Sequence, residues 1–251
     1  MLLRIVWMGG TLLTIMVITA AVSRKKAMTI TATEVEVKPL EGGAYLIDSA
    51  DVIEIISKSL GEPLNEQLAG DVDAGRVERA LEEDPFVKNA EVALMANCRV
   101  IIEVEQRKPV LRVIDKQGSQ YYLDKTGKRI PLSEHFAART LVATGNIPPY
   151  TPEFLKKKKH AMKGLFELTR FILSDDLWEA LFEQIYVNNR GEFVLVPKVG
   201  DQVVLFGKYE NVEGKFYRLR VFYEEGMSYE GWQKYKTIDL RYRNQVVCKK
   251  R

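Results

Sequence analysis

The side chains best suited to covalent or metal chemistry are few in this chain. It carries two histidines, His135 and His160, and two cysteines, Cys98 and Cys248. An active site needs a nucleophile beside a base, or acids and bases with tuned pKa values converging on one pocket. Neither histidine has a carboxylate or thiol motif around it, and both read as surface polar residues. The cysteines form neither a CxxC redox pair nor a metal-ligand spacing. They fit two buried small hydrophobes better than a lone disulfide. Ser23 and Lys26 match S-x-x-K, but the other parts that make that motif catalytic are missing. There is no G-x-S-x-G, no P-loop and no G-x-G-x-x-G. The acidic pairs Glu82-Glu83, Asp175-Asp176 and Glu224-Glu225 fall on helix faces or ends, where solvated charge explains them. These residues imply no catalytic centre, metal, cofactor or small-molecule substrate.

Charge narrows the partners. Thirty-seven Lys and Arg stand against 34 Asp and Glu, a net of +3, and no basic stripe with interleaved aromatics suggests nucleic acid. The densest positive run, Lys156 to Lys159, reads as the solvated start of an amphipathic helix; an anionic lipid or polymer contact is the alternative.

The elements that must carry function begin with a membrane segment. From Ile5 to Val22 run 18 residues without a charge, with Trp7 near one end. As a helix this run covers roughly 27 Å, close to a hydrocarbon core of about 30 Å. A cleaved signal peptide is the competing reading, with Thr19-Ala20-Ala21 as small residues near a cleavage point, but the run exceeds the usual signal core of about 7–15 residues. A retained anchor over 1–26, with a very short cytoplasmic end, is expected. Arg24, Lys25 and Lys26 follow the span and only Arg4 precedes it, so local charge alone would hold the bulk of the chain in the cytoplasm. Long domains translocate despite such a bias.

Two modules follow. In the first, over 27–114, strand 33–39 precedes helices over 48–61 and 73–86, then 89–95 and 98–114 as paired strands with a tip at Ala96-Asn97. Pro85 ends the second helix and Phe86 plugs the core. The second, over 115–251, opens with a hairpin around Thr126-Gly127. A helix is expected from Thr151-Pro152-Glu153 through Ile172, and a shorter one from Ser174-Asp175. An antiparallel meander, a covering helix over 211–226 and a final strand over 237–250 complete it. The fold class is α+β: a single N-terminal transmembrane helix, a β-α-α-β-β domain, then an antiparallel β-rich domain with covering helices.

The element order with "LEEDPFVKNAEVAL" and then "VIIEVEQRKPV" resembles the POTRA module, a small periplasmic interaction domain. Adding the single span, "GDQVVLFG", a K-F-x-x-L helix and the terminal I-D-L-R-Y, the chain resembles the FtsQ/DivIB family of bacterial cell-division proteins. "QVVCKK" and Gly231-Trp232 with Tyr235 are similar to its Bacteroidota versions. That resemblance implies a non-enzymatic divisome scaffold. It would sit in the inner membrane at the septum with its C-terminal domains in the periplasm, link early and late division proteins and support septal peptidoglycan synthesis. The implied partners are FtsB and FtsL, as the FtsB–FtsL complex, other divisome proteins, and the lipid bilayer around Ile5, Trp7 and Val22.

In the final segment, even positions Ile238, Leu240, Tyr242, Asn244, Val246 and Cys248 alternate with a mostly polar set, as in a half-buried strand. A strand edge must be blunted or used, and an acidic partner could add a strand here. The resemblance places the FtsB contact on Arg241, Tyr242 and Asn244, with Gln245, Val246 and Val247 as the adjoining edge. Leu240 reads as core, Tyr242 as core or contact, and Arg241 as contact. The competing functions are a POTRA-bearing scaffold for outer-membrane or secretion assembly, and a membrane-anchored envelope hydrolase.

Overall fold

The computed structural model describes residues 12–20, 24, 26–157, 160–227, 231 and 234–251. Its contacts divide into two units: residues up to Arg107 together with Ser133–Phe136, and Lys108–Leu132 together with Ala137–Arg251. Among the described residues, no helix is long and apolar enough to cross a membrane. Residues 12–20 are helical and exposed; the expected anchor residues Ile5, Trp7 and Val22 lie outside the described residues.

The first unit contains β1 (Ala32–Lys38), α1 (Ser49–Leu60), α2 (Ala74–Glu83), β2 (Val87–Leu94) and β3 (Arg99–Gln106). This is the expected strand-helix-helix-strand-strand order. Strand β3 lies between the other two, parallel to β1 and antiparallel to β2. Its alternation buries Val100, Ile102 and Val104 against Val52 and Ile56 of α1 and Val77 and Leu81 of α2. Helix α1 starts at a capping box: Asp48 accepts from the Ala50 and Asp51 N–H groups, and Asp51 accepts from the Asp48 N–H. Helix α2 stops before Pro85, because the residue ahead of a proline is pushed to extended geometry; Asp84 has ψ 134°. Phe86 packs half-buried against the core. At the β2–β3 tip, Met95 N–H donates to Arg99 O (2.8 Å) and Cys98 takes φ +59°.

Among its described residues the second unit has nine strands: β4 (Pro109–Ile114), β5 (Gln120–Asp124), β6 (Arg129–Ile130), β7 (Leu141–Gly145), β8 (Phe182–Val187), β9 (Phe193–Pro197), β10 (Val203–Gly207), β11 (Tyr235–Asp239) and β12 (Val247–Lys250). Their order across the sheet is β12-β11-β10-β9-β8-β7-β4-β5-β6. Helices α3 (Ala161–Leu173), α4 (Asp176–Leu181) and α5 (Val212–Val221) send their buried side chains into one core with the inward strand positions. Phe216 of α5 is its aromatic hub, 4.7 Å from Phe171 and 5.0 Å from Trp178 between ring centroids.

Three expectations need correction. Strand β4 belongs to the second sheet, so the chain changes unit between Arg107 and Lys108 and not after 114. The buried apolar positions change phase within 98–114, from Val100, Ile102 and Val104 to Leu111 and Val113, and the strand is interrupted at Arg107-Lys108, with Pro109, which brings no N–H to a ladder, opening β4. The sheet is also mixed rather than antiparallel: β8–β9–β10 is the expected antiparallel meander, but β4–β7, β7–β8 and β10–β11 are parallel. Crossovers carrying α3 and α4, and then α5, return the chain in its original direction. Finally, residues 152–156 form turns, and α3 begins only at Ala161 with His160 as its cap. Phe154 in that turn is fully buried, which anchors the segment without a helix.

A candidate partner-binding edge

Strand β10 ends at Gly207, α5 crosses over, and β11 returns parallel to β10 with Val203 opposite Thr237 and Leu205 opposite Asp239. Strand β12 then runs antiparallel along β11, pairing Asp239 with Val247, Ile238 with Cys248 and Thr237 with Lys249. Both sides of β11 are therefore occupied by the molecule's own backbone. At this end of the sheet the open edge is that of β12, as β6 forms the other; among the described residues no strand pairs with the outer side of β12.

The expected single strand over 237–250 is thus two strands joined by a bent connection over 240–246. Ile238 and Leu240 are buried as read, and Val246 and Cys248 pack partly against the core. Tyr242 and Asn244, assigned to the same face, are instead exposed, Tyr242 at 49 %. The cause is local. Leu240 N–H still follows the sheet, donating to Leu205 O (3.0 Å), but Asn244 takes φ +59°, a left-handed value that no strand sustains. A period of two cannot survive such a residue.

Arg241 stands apart from its neighbours. Its Nε donates to Asp239 Oδ1 (2.9 Å) and its Nη2 to Asp239 Oδ2 (2.6 Å), a bidentate pair, while the Arg241 backbone N–H donates to Oδ1 as well (3.0 Å). Nη1 lies 3.6 Å from Glu192 Oε2, which also accepts from Asn188 Nδ2 (3.0 Å). Burial pushes the Asp239 carboxyl up, but hydrogen bonds and charge from Arg241 outweigh it and hold the group below the usual carboxylate range. The same pairing raises Arg241, with Glu192 adding to it.

Beside the connection lies a groove of about 520 Å³, lined by Tyr217, Val221 and Phe222 on the helix side and Asn244, Gln245 and Val246 on the other. It is more apolar than polar, and it borders the start of β12. Tyr217 is 69 % exposed at its rim. The charge at this end is positive. Lys249 and Lys250 are exposed, and Arg251 reaches Asp201 (2.7 Å). Among the described residues here, no nucleophile and base are brought together.

Elsewhere, Asp48, Asp51 and His135 cluster closely enough to hold an ion. Their atoms are already engaged: Asp48 caps α1, and Asp51 accepts from His135 Nε2 or pairs with it (2.8 Å). Cys98 is buried and Cys248 half-buried, and both are free thiols. The structure thus brings together Tyr242, Asn244, Gln245, Val246 and Val247 around one edge and ties the exposed Arg241 to Asp239 and Glu192. Sequence reasoning missed Asp239, Glu192 and Gly207 as its partners. The Asp239-x-Arg241 spacing was the available signal, since residues two apart in a strand share a face.

The chain is built from a small αβ module followed by a larger mixed sheet with helices packed into its core. A family model for a POTRA-like domain matches residues 31–105, and one for FtsQ/DivIB, C-terminal related, matches residues 108–249. The chain belongs to the FtsQ/DivIB family. It is also 27 % identical, over 90 % of its length and 88 % of the relative's, to a cell division protein FtsQ from Rhodothermus marinus.

Proposed function

We propose that this protein is a non-enzymatic scaffold of the bacterial division machinery that captures a partner strand along the outer edge of β12. The observation that carries this reading is the unpaired side of β12 beside an apolar groove. An exposed edge with such a neighbour supplies backbone bonds for affinity and a pocket for choice. Family membership supports the division role. The guest is the FtsB–FtsL complex, with Tyr242, Asn244, Gln245, Val246 and Val247 lining its path and Arg241 completing the set. The stretch from Ile5 to Val22 anchors the chain in the inner membrane with its C-terminal units in the periplasm, where other divisome proteins meet the POTRA-like unit and septal peptidoglycan synthesis is supported.

The test is photo-crosslinking from position 242 in living cells. Adducts with FtsB are expected, along with septal enrichment of the chain. Adducts confined to outer-membrane assembly or secretion proteins would replace this reading with the envelope-assembly one.

A further inference from the structure

We infer that the outer edge of β1, in the first unit, is a second docking surface, which takes an extended, basic segment of a partner protein. This goes beyond the β12 edge and does not depend on it. Strand β1 ends its own sheet, and among the described residues no strand pairs with its outer side. Thr31 N–H donates inward to Cys98 O (2.9 Å), so the odd residues that follow face β3 and the even ones face outward. Ala32, Glu34 and Glu36 therefore present their N–H and C=O groups along a free edge. The molecule itself shows that this side accepts a strand. Just before β1, Ile30 N–H donates outward to Gln67 O (3.1 Å) and Ala69 N–H donates to Met28 O (2.8 Å), an antiparallel pairing around the Thr29–Leu68 bridge. That pairing stops where β1 begins. The opposite edge, β2, is already engaged at Val92, whose N–H donates to Glu78 Oε1 of α2 (2.9 Å).

Two features define the guest's side chains. On the helix face of the sheet, beside Thr31 and Thr33, lies a groove of about 410 Å³ walled by Ile53 and Ile56 of α1 and by Pro63 and Leu64. Ile53 is 47 % exposed there. On the other face, Glu36 of β1, Glu103 of β3 and Glu91 of β2 stand directly across from one another. Like charges in such a row are destabilising. Lys38 reaches Glu103 (3.0 Å), Lys88 reaches Glu105 (2.5 Å) and Arg99 pairs with Glu34. Among the described residues Glu36 and Glu91 have no ion-pair partner, so this face is left acidic in a chain whose net charge is +3. A strand added to β1 sends alternate side chains to these two faces. Lysine or arginine then stands beside Glu34 and Glu36, and an apolar residue between them enters the groove.

The experiment titrates the full chain, held in nanodiscs of zwitterionic lipid, with a labelled seven-residue peptide alternating lysine and valine. Fluorescence anisotropy should rise to saturation, and the same peptide with glutamate in place of lysine should not bind. Glu34→Pro removes one outward N–H while sparing the β1–β3 ladder, and it should weaken binding about tenfold. Glu36→Lys and Ile53→Asp, both at exposed positions, should each weaken it several-fold; these two decide the matter where the proline unfolds the unit. No saturable binding, or binding that none of the three folded variants changes, overturns the inference. Binding lost to Glu36→Lys but intact in folded Glu34→Pro and Ile53→Asp chains also overturns it, because that pattern is attraction between charges without an added strand. A dimer of the full chain that Glu34→Pro dissolves, with no peptide uptake, overturns it in favour of a second copy as the occupant.

Discussion

Gly207 and Arg241 meet where β10 ends: φ at Gly207 is +80°, and no Cβ fits there because the arginine's Cγ occupies that space. A left-handed backbone angle alone costs an L-residue about 1–2 kcal/mol. Gly207→Ala adds displacement of the paired arginine to that cost. Gly118 has a similar angle, +84°, but opens on empty space. Chemical denaturation should therefore show Gly207→Ala more destabilising than Gly118→Ala; equal losses would mean that Arg241 moves aside freely.

Acid should loosen the same region. The folded pKa of Asp239 is depressed, so its contribution is fully present above the unfolded value of about 3.9 and is lost as pH falls through the lower folded value. Urea unfolding between neutral pH and pH 2.5 should show a fall in stability that the Asp239→Asn chain lacks over that interval. An identical profile in the variant would remove the carboxylate from the account.

Tyr242 offers a cleaner separation of fold from recognition. Its ring is half-exposed, and surface substitutions of this kind usually change stability by no more than about 0.5 kcal/mol. Tyr242→Ala should unfold with the parent chain yet capture the FtsB–FtsL complex poorly, and combining it with Arg241→Glu should abolish co-purification. Full capture by the folded double variant would remove the site.

The core of the second unit should fail at its hub. Phe216 is buried among Phe171, Trp178, Phe182 and Phe206. Phe216→Ala should cost about 3–5 kcal/mol, read from Trp178 fluorescence during denaturation. A loss under 1 kcal/mol would mean that neighbouring rings close the gap.

Much of this architecture was legible because local rules agreed with one another. Asp48 and Gly61 bracket α1, Pro85 closes α2, and Val100, Ile102 and Val104 alternate through β3, so the first unit reads directly from cap, stop and period. The second was harder, because strand direction depends on what the chain does between strands. Nothing inside "QVVLFG" or "TIDL" says that α5 will make them parallel. Residues 237–250 misled for a different reason: Leu240 and Val246 do both turn inward, but at the two ends of a connection that passes through Asn244. Tyr242 was legible as core or contact and Arg241 as a contact, but not the ion pairs of Arg241, whose carboxylates lie two residues and 49 residues away.

The segment Ser133–Phe136 gives the molecule an unusual seam. These four residues are grouped with the first unit although the chain on either side belongs to the second, and Ser133 Oγ donates to Leu46 O (2.6 Å) while His135 meets Asp51. A scissor placed between Arg107 and Lys108 would thus not yield two finished halves. The downstream fragment would carry off a stitch belonging to the upstream one, and anyone dissecting the protein into modules should expect the smaller piece to lose grip on Leu46 and Asp51 unless that loop is supplied again.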